Sequence, residues 1–143
     1  MAFLSEVHVG VVSIPLFGRG PFTVPIWYSY QPGGELMFVT GKDSFKARLL
    51  YVGMRISLCA QNETPPYQYV SVEGPVTDIR EAELERDRRP LAHRYLGKTL
   101  GDRYIRRTRD LQEIRVSVRV ERWYGARYEQ EEGEEQIEKQ DVE

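Results

Sequence analysis

The chain has 143 residues, of which 41% are hydrophobic and 11% aromatic, with one cysteine and a formal charge of -2. This suffices for one domain with a modest core; a single cysteine excludes a disulfide scaffold within the chain, and no apolar run reaches the roughly 20 residues of a membrane helix. The net charge hides two unlike parts, because residues 129–143 carry eight of the 22 acids and one of the 20 bases, leaving residues 1–128 with 19 bases against 14 acids, or +5.

A cationic body suits a phosphorylated ligand, while the Lys and Arg spread over residues 80–109 are equally compatible with a solvated helical face. No helix-turn-helix, zinc-ligand spacing or aromatic-basic RNA-binding pattern occurs, so nucleic acid is not an expected partner. The N-terminal Met1-Ala2-Phe3-Leu4-Ser5-Glu6 has neither a basic start nor a secretory apolar region, which predicts a cytoplasmic protein without a membrane partner.

In chain order, residues 7–14 are rich in β-branched side chains and end at Pro15, reading as a first strand. Phe17-Gly18-Arg19-Gly20-Pro21 supplies turn chemistry; Gly18-x-Gly20 is not a dinucleotide loop, because a strand rather than a helix follows. Residues 22–30 read as the second strand, Gln31-Pro32-Gly33-Gly34 as a hairpin turn and residues 35–40 as the third strand, giving a tight meander. A helix is predicted over residues 44–52, capped by Asp43 or Ser44 and followed by Gly53 as C-cap. Its Phe45, Leu49 and Val52 recur at i, i+4 and i+7 and would face a core. Residues 55–61 form a fourth strand, with Cys59 as a buried, reduced thiol. Residues 67–78 form a long fifth strand, bent at Gly74-Pro75 and paired with the fourth.

Asp78-x-x-Glu81 resembles a capping box, and Leu84, Leu91 and Tyr95 continue at helical spacing through Arg94, with Pro90 as a kink and Gly97 and Gly101 as terminators. Residues 102–108 add a helical turn. Residues 114–120 alternate apolar and polar as a sixth strand. Residues 129–143 hold too few apolar groups to offset the entropy of ordering, predicting a disordered acidic tail behind a 1–128 domain. Six strands with turn-rich links and two short helical insertions predict a mainly β, six-stranded antiparallel barrel, since closure removes exposed edges.

Candidate chemistry is sparse. His8 and His93 are the only histidines and neither has a nucleophile or metal ligand at a suitable spacing; Glu63 and Glu73 could be paired carboxylates or ordinary strand-end residues. The stronger feature is Thr40-Gly41-Lys42-Asp43-Ser44-Phe45-Lys46-Ala47-Arg48, where a strand gives way to a helix. Unpaired backbone N–H groups and three cations favour an anion there, although a capped surface helix with solvated lysines has the same residue types. One hairpin away, Pro25-Ile26-Trp27-Tyr28 offers backbone polar groups and large ring faces, which suit a cofactor that carries its own redox chemistry as well as simple alternation between core and surface.

These segments together resemble the pyridoxamine 5′-phosphate oxidase-like split β-barrel flavoproteins and their deazaflavin-dependent relatives. The resemblance runs through His8-Val9-Gly10-Val11-Val12, Val24-Pro25-Ile26-Trp27-Tyr28, Phe38-Val39-Thr40-Gly41 leading to Ser44-Phe45-Lys46, Val70-Ser71-Val72-Glu73-Gly74, and Glu121-Arg122-Trp123-Tyr124-Gly125. It implies a split barrel, a homodimer, and an oxidoreductase binding FMN or coenzyme F-420 at the subunit interface, with a small conjugated or planar substrate. The phosphate would lie near Ser44 and Lys46, with Lys42 and Arg48 in support, and the ring along Pro25, Ile26, Trp27 and Tyr28 close to Thr40 and Gly41. Tyr69 would reach the cofactor, and Trp123 and Tyr124 would approach from the other subunit. Non-catalytic storage of a flavin or haem is the alternative of another class. Val24, Ser29 and Phe45 stand where the oxidase carries cations, which argues against oxidation of pyridoxamine 5′-phosphate itself.

Overall fold

The computed structural model describes residues 2–128 and the backbone of residues 135–141. Its strands form one strongly curled antiparallel sheet, a split barrel whose two halves share strands. In the first half β1 (Gly10–Ile14) lies between β2 (Phe22–Ile26) and β5 (Arg55–Gln61), and β5 pairs with the long β6 (Gln68–Glu81). In the second half β3 (Tyr28–Tyr30) pairs with β4 (Leu36–Gly41), β4 with β7 (Glu113–Val118), and β7 with the far end of β6. The strand β8 (Arg122–Tyr128) pairs with the first part of β6.

Two points in the chain carry a strand from one half to the other. The run expected as a single second strand divides at Trp27: Ile26 pairs with Gly10, whereas Tyr28 pairs with Phe38. The second point is the bend at Gly74-Pro75, where β6 leaves β5 and β8 and takes up β7. A Cβ on Gly74 would fall 1.6 Å from the Arg119 carbonyl oxygen. The β7–β8 link crosses there, Arg119 N–H donating to Pro75 O at 3.1 Å and Glu121 N–H to Glu73 O at 2.9 Å. Only glycine admits that crossing.

Alternation places Val12, Ile14, Leu58, Val72, Phe38 and Val116 in one core between the halves. A short N-terminal helix α1 (Ala2–Ser5) plugs its end with Leu4, which is fully buried, and the Tyr28 hydroxyl donates to Leu4 O at 2.7 Å.

The main departures from the sequence reading have local causes. The described residues contain nine strands rather than six, because the second run divides and because β8 and β9 (Glu135–Asp141) follow the expected last strand. Of the tail read as disordered, residues 135–141 form β9, whose backbone pairs along the β8 edge; residues 129–134 and 142–143 lie outside the described residues. Pairing with another strand needs backbone groups rather than apolar side chains, so composition does not report it. The helix α2 (Phe45–Leu49) is one turn long: Ser44 caps it, Leu49 packs on the core, and Val52 is 60% exposed. Asp78 and Glu81 form no capping box, because β7 holds residues 78–81 as the last rungs of β6.

The helical arm instead begins with a π-helical turn at Leu84–Arg88 and continues as α3 (Arg89–Thr108), with Pro90 in the first turn of α3. Gly97 breaks α3 with φ 79° and ψ 174°. Residues 95 and 104 are nine apart, so in an unbroken helix they would point about 180° from one another. The break turns Tyr95 and Tyr104 toward the same indole, that of Trp27. It also brings His93 Nε2 to 2.6 Å from Asp102 Oδ1, while Gly101 leaves room for the His93 ring.

Candidate functional site

The division of the second strand creates the cleft. At Trp27 the backbone belongs to neither ladder, and β2, β4 and the helical arm diverge around it, leaving a cavity of about 390 Å³. Pro25, Ile26 and Trp27 form one wall, Val39 and Lys46 line a second side, and Leu91, Tyr104 and Ile105 of the arm close the third. The volume is that of a small-molecule site.

The arm is fixed over this cleft by specific bonds. Trp27 stacks on Tyr95 with ring centroids 5.1 Å apart and planes 6° from parallel, and Tyr104 approaches it at 5.4 Å. The Tyr95 hydroxyl accepts from Tyr28 N–H at 3.0 Å and lies 2.6 Å from His8 O and 3.0 Å from Tyr28 O, so its one proton serves one of those two carbonyls. Burial raises its pKa, keeping it a donor at neutral pH. At the other end Arg88 pairs with Glu113 at 2.9 Å and donates to Thr108 O at 2.8 Å, tying both ends of the arm to β7. Arg88 and Glu113 also line the cleft. Beside them, burial and then the Glu113 charge push the Tyr104 hydroxyl upward, with Arg88 opposing. The cleft thus contains a protonated phenol close to a paired carboxylate, a group able to hold or give a proton to a bound molecule.

The cationic end is simpler than its sequence suggests. Ser44 Oγ accepts from Ala47 N–H at 3.1 Å and lies 3.2 Å from Thr40 Oγ1, so part of its bonding capacity is spent on the cap. With α2 only five residues long, the macrodipole is small, and any hold on an anion falls to the side chains. Lys46 lines the cleft, and among the described residues neither it nor Lys42 nor Arg48 forms an ion pair with an acid. Arg48 Nη2 donates to Asp43 O at 3.4 Å.

Of the residues singled out in the sequence, Pro25, Ile26, Trp27 and Lys46 meet in the cleft. Thr40, Gly41, Lys42, Ser44 and Arg48 form the strand-to-helix corner next to it. The Tyr28 ring is not in the cleft: it is fully buried with its hydroxyl on Leu4, so its side chain serves the core and only its backbone borders the site. Tyr69 is elsewhere within the chain, opposite Gln61 and Ala126 on β6, its ring 6.0 Å from that of Tyr124. Trp123 packs against the core from β8. In the sequence Tyr95 reads only as a helix-face residue, and Arg88, Tyr104 and Glu113 carry no site signal: the arm's basic residues are compatible with a solvated face, nine-residue spacing signals opposite faces until Gly97 breaks the helix, and Glu113 is brought in by the pairing of β7 with β4.

No family model matches the chain, and no curated protein matches its sequence. Solved structures do match its fold. An F420 reductase superposes with a TM-score of 0.66 at 18% identity, over 85% of this chain and 93% of that one. An FAD-binding protein from Mycobacterium smegmatis gives 0.59 at 15% identity, over 89% and 92% of the two chains. A haem-binding protein from the same organism gives 0.56 at 16% identity, over 96% of this chain and 54% of that one. The chain therefore has the split-barrel fold of flavin and deazaflavin proteins, at identities that establish the fold alone.

Proposed function

We propose that this protein is an oxidoreductase that binds FMN in the cleft at Trp27, with the ring against the Pro25-Ile26-Trp27 backbone and the phosphate toward Lys46. The observation that carries the reading is the cleft itself, with one backbone wall, one cation without a described acid partner, and a phenol across from them. The residues fit such a group in chemistry. A flat conjugated ring is accommodated by an apolar wall with exposed backbone polar groups, and a phosphate by Lys46 with Lys42 and Arg48 behind it. Because Tyr95 already covers one face of the Trp27 indole, the ring would rest beside Trp27 rather than upon that face.

The cofactor would supply hydride chemistry when bound. The chain's own part is to orient the ring, exclude water through the arm, and hold a proton at the Tyr104 hydroxyl for a small conjugated or planar substrate. Coenzyme F-420 is the second reading, favoured by the F420 reductase fold match and by the shortage of the cations found in the oxidase.

A homodimer belongs to the same proposal. The row Pro25, Val11, Cys59, Ser71, Tyr124 crosses the outer face of the first half in register, and it is built mainly from small side chains. Val11 in this row is 42% exposed and Val9, beside it, 52%. A second copy on this face would bring Tyr124 and Tyr69 toward the rim at Pro25.

Titration with FMN and with F-420, followed by fluorescence and calorimetry, tests the reading. Saturable binding of one of them is expected, weakened about tenfold in Lys46→Ala, equivalent to roughly 1.4 kcal/mol. Absence of binding by both would refute it. Bound cofactor that is reduced by a nicotinamide donor yet not reoxidised by oxygen, quinones or conjugated enones would turn the reading to storage.

A further inference from the structure

A second cavity, of about 380 Å³, opens on the other side of Leu91, between the β3–β4 hairpin, β7 and the start of the arm. Its wall contains Arg86, Arg94 and Arg115, with Ser29 and Gln31 as neutral polar groups and Asp87 and Glu35 as the acids. The charges do not balance. Arg115 stands directly across from Arg80 in the β6–β7 ladder, where like charges repel. The one carboxylate between them, Asp87, is 3% exposed and already receives both Nη groups of Arg80, at 2.8 and 3.0 Å, and the Glu83 N–H at 2.8 Å.

Arg115 comes no nearer than 3.6 Å to Asp87, and its buried Nε has no hydrogen-bond partner among the described residues. Arg94 spends one Nη on the Ser5 and Glu6 carbonyls, and its Nε is likewise buried without a partner among the described residues. Arg86 forms no ion pair with a described acid. The lining thus holds three guanidinium groups against two carboxylates, and one of those, Asp87, is already spent on Arg80.

We infer that this arginine-lined cavity is a binding site for a small multivalent oxyanion, a phosphate ester or a polycarboxylate, held between Arg86 and Arg115. Planar guanidinium groups match the paired oxygens of either ligand, and a partly desolvated excess charge strengthens the hold. Ser29 and Gln31 add neutral hydrogen bonds. The site is distinct from the cofactor cleft in lining and charge and shares only Leu91 with it.

The test uses the full-length chain at low ionic strength, with pyrophosphate and citrate as the two probes, read by calorimetry and thermal melting. Saturable one-to-one binding of either probe is expected, and the tighter of the two identifies phosphate ester or polycarboxylate as the source. Affinity should fall about tenfold in Arg86→Gln, whose side chain lies outside the Asp87 network, and in Arg115→Gln. It should rise severalfold in Glu35→Gln. Lys46→Ala should leave it unchanged while weakening flavin binding, which separates this proposal from that of the cofactor cleft. Lack of saturable binding, equal affinity in Arg86→Gln, or loss in Lys46→Ala would overturn the assignment.

Discussion

Tyr95→Phe isolates the bond that fixes the arm to the divided strand. It removes one oxygen and leaves the ring, so the stack on Trp27 at 5.1 Å should persist. Three contacts of the hydroxyl disappear: the 3.0 Å acceptance from Tyr28 N–H and the contacts to His8 O and Tyr28 O at 2.6 and 3.0 Å. A buried donor left without an acceptor costs about 1–3 kcal/mol, and a carbonyl that loses its donor adds about 1 kcal/mol at most, because it has a second lone pair. A loss of about 2–3 kcal/mol is expected, or a fall in Tm of roughly 5–12 °C for a chain this size. Urea denaturation gives the free energy, and an unchanged m-value would show that the fold itself is retained. Cofactor affinity should fall with it, since the same bond holds the arm over the cleft. A loss under about 0.5 kcal/mol would refute the claim that this hydroxyl satisfies the backbone at the split.

Three further outcomes follow from the geometry. Gly74→Ala should prevent normal folding or cost more than about 3 kcal/mol, because its Cβ would collide with the Arg119 carbonyl; a soluble variant with wild-type melting would contradict the crossing. Acid titration should expose the Asp87 network. Burial opposes charge on Asp87, but the Arg80 bonds and the Glu83 N–H outweigh it and hold its pKa below the ordinary value. Its contribution is therefore complete above about pH 4 and is lost as pH falls through the lowered value, and Asp87→Asn should flatten that part of the stability curve. Gly97→Ala forces a side chain into a φ/ψ region open essentially to glycine alone and should cost about 1–3 kcal/mol, read by denaturation, with loss of the 2.6 Å His93–Asp102 contact visible as a shifted imidazole resonance.

The amino-acid sequence by itself determined the local devices. Gln31-Pro32-Gly33-Gly34 set the β3–β4 hairpin, Ser44 the cap of α2, alternation in residues 55–61 the faces of β5, and Gly74-Pro75 the bend in β6. It also placed Pro25, Ile26, Trp27 and Lys46 together, since one hairpin joins their segments. Each of these rests on a few adjacent residues whose dihedral preferences or spacing leave little choice. The tertiary structure alone decided where strands change partners and what covers them. Residues 78–81 satisfy a capping pattern and a strand pairing alike, and β7 settles the choice by hydrogen-bonding them. Tyr28 looks like a site residue until the plug at Leu4 takes its hydroxyl into the core. Tyr104 enters the cleft only because a single glycine with φ 79° folds the arm back over Trp27, where it meets Arg88 from before the break and Glu113 from β7. The physical reason is that such choices are made between groups distant in sequence, whose pairing energy exceeds the local preference of either segment.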